Sequence, residues 1–106
     1  MKKMSEQIIN KMSKFKKLSA VMVIRGEGEN DKFIEFIVFL SHFSPDIAEH
    51  IRAFLKEDGF AKISDFSRGK DIIVYIDIND EQKTAEYLTR LYSFLSKCLM
   101  SKIFIE

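Results

Sequence analysis

The 106-residue chain contains no tryptophan, one cysteine, one proline and four glycines. The single thiol, Cys98, excludes an internal disulfide and favours a reducing compartment, so we predict a cytoplasmic protein. No apolar run approaches the ~18 residues that a membrane-spanning helix requires. The opening MKKMSEQIINKM also lacks the continuous apolar stretch of a signal peptide. These absences argue against a secreted, membrane-spanning or disulfide-linked protein.

The composition is that of a globular protein, with 46% hydrophobic and 31% charged residues. Ten phenylalanines place much of the expected core volume in phenyl rings. A chain of this length forms one domain, because a second core would have too little chain to close. The abundance of lysine and isoleucine is consistent with a thermophilic archaeal source.

Positive charge is concentrated at the start of the chain. Residues 1–17 carry six lysines against Glu6, a net charge of +5, whereas the remaining 89 residues carry eleven basic and fifteen acidic groups, a net charge of −4. The lysines are Lys2, Lys3, Lys11, Lys14, Lys16 and Lys17. We predict a basic N-terminal arm or short helix over 1–17, with helical spacing over 4–13, followed by a single α+β domain over 18–106.

Alternation and turn residues predict the elements of the first half. Residues 18–25 alternate and favour a strand, and the apolar run over 33–41 favours a second, central strand. Ser44-Pro45-Asp46 is a strong helix start, with serine as N-cap and proline at the first helical position. Gly59 is placed to end that helix in a left-handed conformation.

The second half repeats this order. Residues 60–66 and 70–78 predict a hairpin, and Asn79-Asp80 predicts a helix cap with Gln82 as capping-box partner. A long helix follows, and Ile103-Phe104-Ile105 is interpreted as a terminal strand or a tail folded over the sheet. The predicted fold is α+β, an antiparallel four-stranded sheet with two helices on one face in the order β-β-α-β-β-α. This arrangement leaves the other sheet face or the outer arc of the helices for a partner.

The last helix carries more apolar surface than one packed face requires. Its main stripe comprises Ala85, Leu88, Leu91, Tyr92, Leu95 and Leu99. Tyr87, Phe94 and Cys98 fall beside that stripe at 100° per residue, which widens the apolar arc to roughly half the circumference. We therefore predict a partner interface at Tyr87, Leu91, Phe94 and Cys98.

No catalytic or metal-binding pattern is evident. His42 and His50 are separated by a helix start, unlike the close ligand pairs of a zinc site. The acidic residues of the second half fall on alternating strand positions and a helix cap, and Cys98 lies on an apolar patch typical of an inert packed thiol. We predict a protein that is not an enzyme and requires no cofactor or metal.

Nucleic-acid binding is a second hypothesis. The N-terminal lysines provide charge for phosphate contacts, and Arg68 and Lys70 flank a predicted hairpin tip. Tyr75 and the strand phenylalanines would be stacking platforms if they faced outward, although such aromatics more often belong to a core.

Residues 34–106 resemble the small dimerising subunit of the KEOPS complex, which installs threonylcarbamoyl-adenosine on tRNA. The similarity rests on Ser44-Pro45-Asp46-Ile47-Ala48, on the strand Lys70 to Asp77, and on Ser93 and Leu95 of the last helix. The resemblance implies a non-catalytic accessory subunit that forms a homo- or heterodimer and docks through its helices on a catalytic subunit, with tRNA as an indirect partner.

The chain departs from that family where basic residues are expected. Leu88 and Ser96 stand at two such positions, and Tyr92 replaces an asparagine. These departures suit a divergent paralogue. Two alternatives remain open: a small nucleic-acid-binding module that uses the arm and the sheet aromatics, and a chaperone-like dimer that binds other polypeptides.

Overall fold

The computed structural model describes residues 5–25, 33–57, 59–66 and 71–104. In chain order the elements are α1 (Glu6–Phe15), β1 (Val21–Arg25), β2 (Phe33–Phe39), a 3-10 turn (Leu40–His42), α2 (Pro45–Lys56), β3 (Lys62–Phe66), β4 (Asp71–Asp77) and α3 (Glu81–Phe104). The predicted α+β class and the order β-β-α-β-β-α are confirmed, with α1 preceding them.

The four strands form one antiparallel sheet in the order β1-β2-β4-β3. Each hairpin therefore places its longer strand at the centre, and β2 pairs with β4 over seven residues. The central position predicted for the 33–41 run is confirmed, although the strand ends at Phe39 and a 3-10 turn follows.

Local signals set the ends of α2 as the sequence predicts. The Ser44 hydroxyl oxygen accepts a hydrogen bond from the Ile47 N–H at 3.3 Å, and Pro45 occupies the first helical position. Beyond the helix, Gly59 adopts φ = 70°, the left-handed conformation that a residue with a side chain rarely takes. The chain can therefore reverse into β3.

The start and end of α3 differ from the prediction. The Asp80 carboxylate accepts a hydrogen bond from the Lys83 N–H at 3.1 Å, so the cap predicted at Asn79-Asp80 is confirmed at Asp80, whereas the capping box built on Asn79 and Gln82 is wrong. The helix then continues through Phe104. No glycine or proline lies beyond residue 81 to interrupt it, so the predicted terminal strand or tail is wrong at 103–104, while Ile105 lies outside the described residues.

One hydrophobic core lies between the sheet and the helices. The inward side chains of β2 and β4 are fully buried, and Phe15 of α1 stacks on Phe36 of β2 with ring centroids 5.3 Å apart. Ile8 and Met12 of α1 are also fully buried in this cluster. The predicted short N-terminal helix thus forms, over 6–15 rather than 4–13, and shares the core of the domain that was predicted to begin at residue 18.

Candidate functional site

The outward face of the sheet carries a set of partly exposed apolar side chains. Strand periodicity places every second side chain on this face, and the paired residues of neighbouring strands stand side by side. Its apolar members are Met22, Phe33, Ile37, Phe39, Ile73 and Tyr75. Met22 is 51% exposed, and the other five are half-buried. Among the described residues, no α-helix packs against this side, although His42 of the 3-10 turn stacks on Phe39 at its end.

The pairing register arranges the face in rows. Met22 pairs with Ile37, and Ile37 pairs with Ile73, so an apolar row crosses β1, β2 and β4. The next row is polar at its ends, because Arg25 pairs with Glu35, Glu35 with Tyr75, and Tyr75 with Lys62. The apolar row is therefore followed by a row that places Arg25 and Lys62 on the edge strands and the Glu35 carboxylate on the central strand β2.

This face carries charges of both signs, with Arg25 and Lys62 opposed by Glu35, Asp71 and Asp77. Lys62 Nζ lies 3.5 Å from the Asp77 carboxylate, and both side chains are exposed. The Arg25 guanidinium lies 5.3 Å from the centroid of the Phe33 ring and is paired in register with Glu35. The face presents both signs of charge beside its apolar centre, a distribution that suits a polypeptide surface better than a polyanion.

The residues predicted as a partner interface lie mainly in the core. Tyr87, Leu91 and Cys98 are buried, while Phe94 is half-buried with its ring stacked on Phe54 at 4.3 Å. Desolvation by burial raises the pKa of the Cys98 thiol, which disfavours its reactive thiolate form.

The chain's own helices cover the wide apolar arc of α3. Tyr87 packs on Phe60 at 4.8 Å on one side, and Tyr92 contacts Phe15 of α1 edge-on at 5.6 Å on the other. The sequence pattern predicted a wide apolar arc on α3. It did not reveal that α1 would share in covering it, because that depends on tertiary packing.

The residues predicted for nucleic-acid contact divide into two groups. Lys11, Lys14, Lys16 and Lys17 lie on α1 and in the turn that follows it. Lys2, Lys3, Arg68 and Lys70 lie outside the described residues. The α1 lysines are on the helical side of the sheet and the outward aromatics Phe33, Phe39 and Tyr75 are on the other, so the two sets do not form a single surface.

The sequence pattern predicted the burial of the outward aromatics least well. Their assignment to the core holds for Phe36, which is fully buried, but not for Phe33 and Phe39 on the same strand. The signal was present, because a continuous apolar run predicts a strand with two apolar faces. The described residues supply cover for only one of them.

Other concave or titratable features are sparse in the described part of the chain. Residues 5–25, 33–57, 59–66 and 71–104 hold no group of three His, Cys, Asp or Glu side chains that could bind a metal ion. His42 stacks on Phe39 at 5.5 Å, and His50 is exposed. A shallow depression of about 370 Å³ between the 3-10 turn and α2 is lined by Leu40, Ser41, Phe43, Pro45, Ala48, Glu49 and Arg52.

No protein-family model, curated protein or solved structure matches this chain. Among the described helices, none is both long and apolar enough to cross a membrane.

Proposed function

We propose that the protein is a non-catalytic dimerisation subunit that binds a second copy of itself through the outward face of its sheet. The observation that carries this proposal is the apolar row of Met22, Ile37 and Ile73 on a face that no described α-helix covers. Burying such a row against another apolar surface gains roughly 25 cal/mol for each Å² removed from water.

The size of the face supports a partner of this kind. Two strands of seven residues and two of five, spaced ~4.8 Å apart with ~3.4 Å per residue, span a projected area of roughly 390 Å². A standard protein interface buries ~800 Å² of accessible surface per partner, and the smallest specific ones bury ~600 Å². Side-chain relief makes the accessible area larger than the projected area, so the face is sufficient for a small dimer.

The charge pattern supports a second copy as the occupant. The face carries Arg25 and Lys62 against Glu35, Asp71 and Asp77, so an identical face can set the cations of one protomer against the carboxylates of the other. Sheets that pack face to face align within about 30° and interdigitate their side chains. A two-fold axis in the plane of such an interface would bring the two apolar rows together.

The oligomeric state of the full chain tests this proposal. We expect sedimentation to show a monomer–dimer equilibrium, and Ile37→Asp to weaken it by about tenfold or more, because a charge would be buried at the centre of the interface. Circular dichroism of this variant checks that the monomer stays folded. A wild-type chain that remains monomeric at high concentration would overturn the proposal.

Two exposed methionines provide a matched pair of variants. Met22 on the sheet face is 51% exposed and Met100 on α3 is 54% exposed. We expect Met22→Lys to weaken the dimer and Met100→Lys to leave it unchanged. The reverse result would assign assembly to the helical side.

The sequence resemblance supports a more specific role, which we propose as accessory subunit of a tRNA threonylcarbamoyl-adenosine complex. Its support is the motifs within residues 34–106 and the shared order of strand, helix, hairpin and final helix. A dimer formed through the sheet leaves the depression beside α2 free for the catalytic subunit. This helix suits a protein contact because its two acidic residues, Asp46 and Glu49, balance Arg52 and Lys56.

Affinity capture of the tagged chain from host lysate, with nuclease treatment and mass identification, tests that role. Recovery of a threonylcarbamoyl-transferase subunit after nuclease treatment would support it. Recovery of many unrelated polypeptides would favour a chaperone-like binder, and recovery of neither would reduce the resemblance to a shared topology.

A further inference from the structure

The exposed surface of α1 and α3, opposite the sheet, carries two rows of positive charge. On α1, Lys11 and Lys14 lie on the flank that faces α3, where they line a cleft of about 50 Å³ with Leu88, Thr89 and Tyr92. On α3, Lys83, Arg90 and Lys97 recur every seven residues on the exposed side of the helix. Seven residues make nearly two full turns, so the three cations form one stripe along the helix.

Polar side chains separate the two rows. Glu86 and Ser93 are exposed on α3 between its basic stripe and α1, so one carboxylate stands among the cations and the Ser93 hydroxyl can donate a hydrogen bond. The Lys14 ammonium lies 6.0 Å from the centroid of the Tyr92 ring, which holds it at the cleft. Because α1 packs on α3, the two rows flank the groove between these helices.

The charge of this surface differs from that of the rest of the helical layer. Over residues 5–17 four lysines oppose Glu6, and over residues 81–100 Lys83, Arg90 and Lys97 oppose Glu81 and Glu86, a net charge of +4. The charges of α2 cancel. Lysine is depleted in protein–protein interfaces, whereas phosphate backbones are bound mainly through lysine and arginine.

We infer that the α1–α3 surface binds the phosphate backbone of nucleic acid. The aromatic side chains beside the groove are buried or half-buried, as Tyr87, Tyr92 and Phe94 are, so bases have no exposed ring on which to stack. Binding therefore depends on backbone charge and tolerates any sequence. This site is independent of the sheet face and does not require the proposed dimer.

Fluorescence anisotropy with a short labelled duplex and a single strand, titrated between ~50 and ~200 mM salt, tests the inference. For the wild-type chain we expect the logarithm of the binding constant to fall linearly with the logarithm of salt concentration. Each lysine contact removed should lower the duplex slope by ~0.9 and weaken binding about threefold to tenfold.

Three variants that each replace lysine by glutamine locate the surface. Lys11→Gln with Lys14→Gln, and separately Lys97→Gln, should weaken binding and reduce the slope. Lys56→Gln on α2 is the matched control and should change neither. Thermal unfolding of each variant confirms that the fold is retained.

Four results would overturn the inference. They are absence of binding at ~50 mM salt, equal loss in the Lys56 control, loss of binding on removal of residues 1–4 alone, and displacement of the oligonucleotide by polyglutamate at equal charge. The third would assign binding to Lys2 and Lys3, and the fourth would assign the surface to acidic polypeptides. Repeating the titration with Ile37→Asp separates this site from the sheet-face dimer, because binding to one protomer should persist.

Discussion

Both faces of the central strands carry large apolar side chains, but the outward face also carries carboxylates and the surroundings of the two faces differ. On β2, Ile34, Phe36 and Val38 point inward and are fully buried, whereas Phe33, Ile37 and Phe39 point outward and keep part of their surface. The inward set is covered by helices of the same chain. The comparison teaches that hydrophobicity alone does not identify the core, and that the outward set is the surface with the most to gain from a second molecule.

The largest expected effect is a difference in the free energy of unfolding between variants on the two faces of β2. Phe36→Ala should lower the free energy of unfolding by ~3–5 kcal/mol, because it opens a cavity beside Phe15. Phe39→Ala on the outward face should cost less than about 1.5 kcal/mol in the monomer, since partial exposure limits the loss. Denaturant titration at low protein concentration measures both. Equal losses would mean that the outward face is covered in the monomer.

An intermediate effect is expected on the helical side, where the original interface prediction placed Phe94. Phe94→Asp should lower the free energy of unfolding by about 2 kcal/mol or more, because the ring is stacked on Phe54 and a carboxylate there is partly desolvated. Thermal unfolding of Phe94→Asp, measured together with that of Ile37→Asp, checks this. A stable Phe94→Asp monomer that no longer assembles would instead support docking through the helices.

The smallest expected effect is at the rim of the outward face. Lys62 and Asp77 are separated by 3.5 Å with both side chains well exposed, so Asp77→Asn should change monomer stability by less than about 0.5 kcal/mol. If the dimer brings charges of the partner close to this rim, its dissociation constant should depend on salt in the wild type and less so in the variant. Sedimentation at low and high salt measures this difference.

Much of the fold was predictable because its signals are local. The Ser44-Pro45-Asp46 start, the Gly59 reversal and the alternation of β4 each depend on a few neighbouring residues, and all three are confirmed. The candidate site was less predictable. Alternation assigns side chains to two faces but does not say which face the helices cover, and the width of the α3 arc does not say how many helices surround it.

The sequence by itself determined the α+β class, the order of the elements and the main helix start, because backbone conformation and capping are decided over short stretches of chain. Only the tertiary structure decided that α1 enters the core, that Tyr87, Leu91 and Cys98 are buried, and that Phe33, Ile37 and Tyr75 face outward. The physical reason is that burial depends on contacts between residues far apart in the chain, which three helices and one sheet settle together.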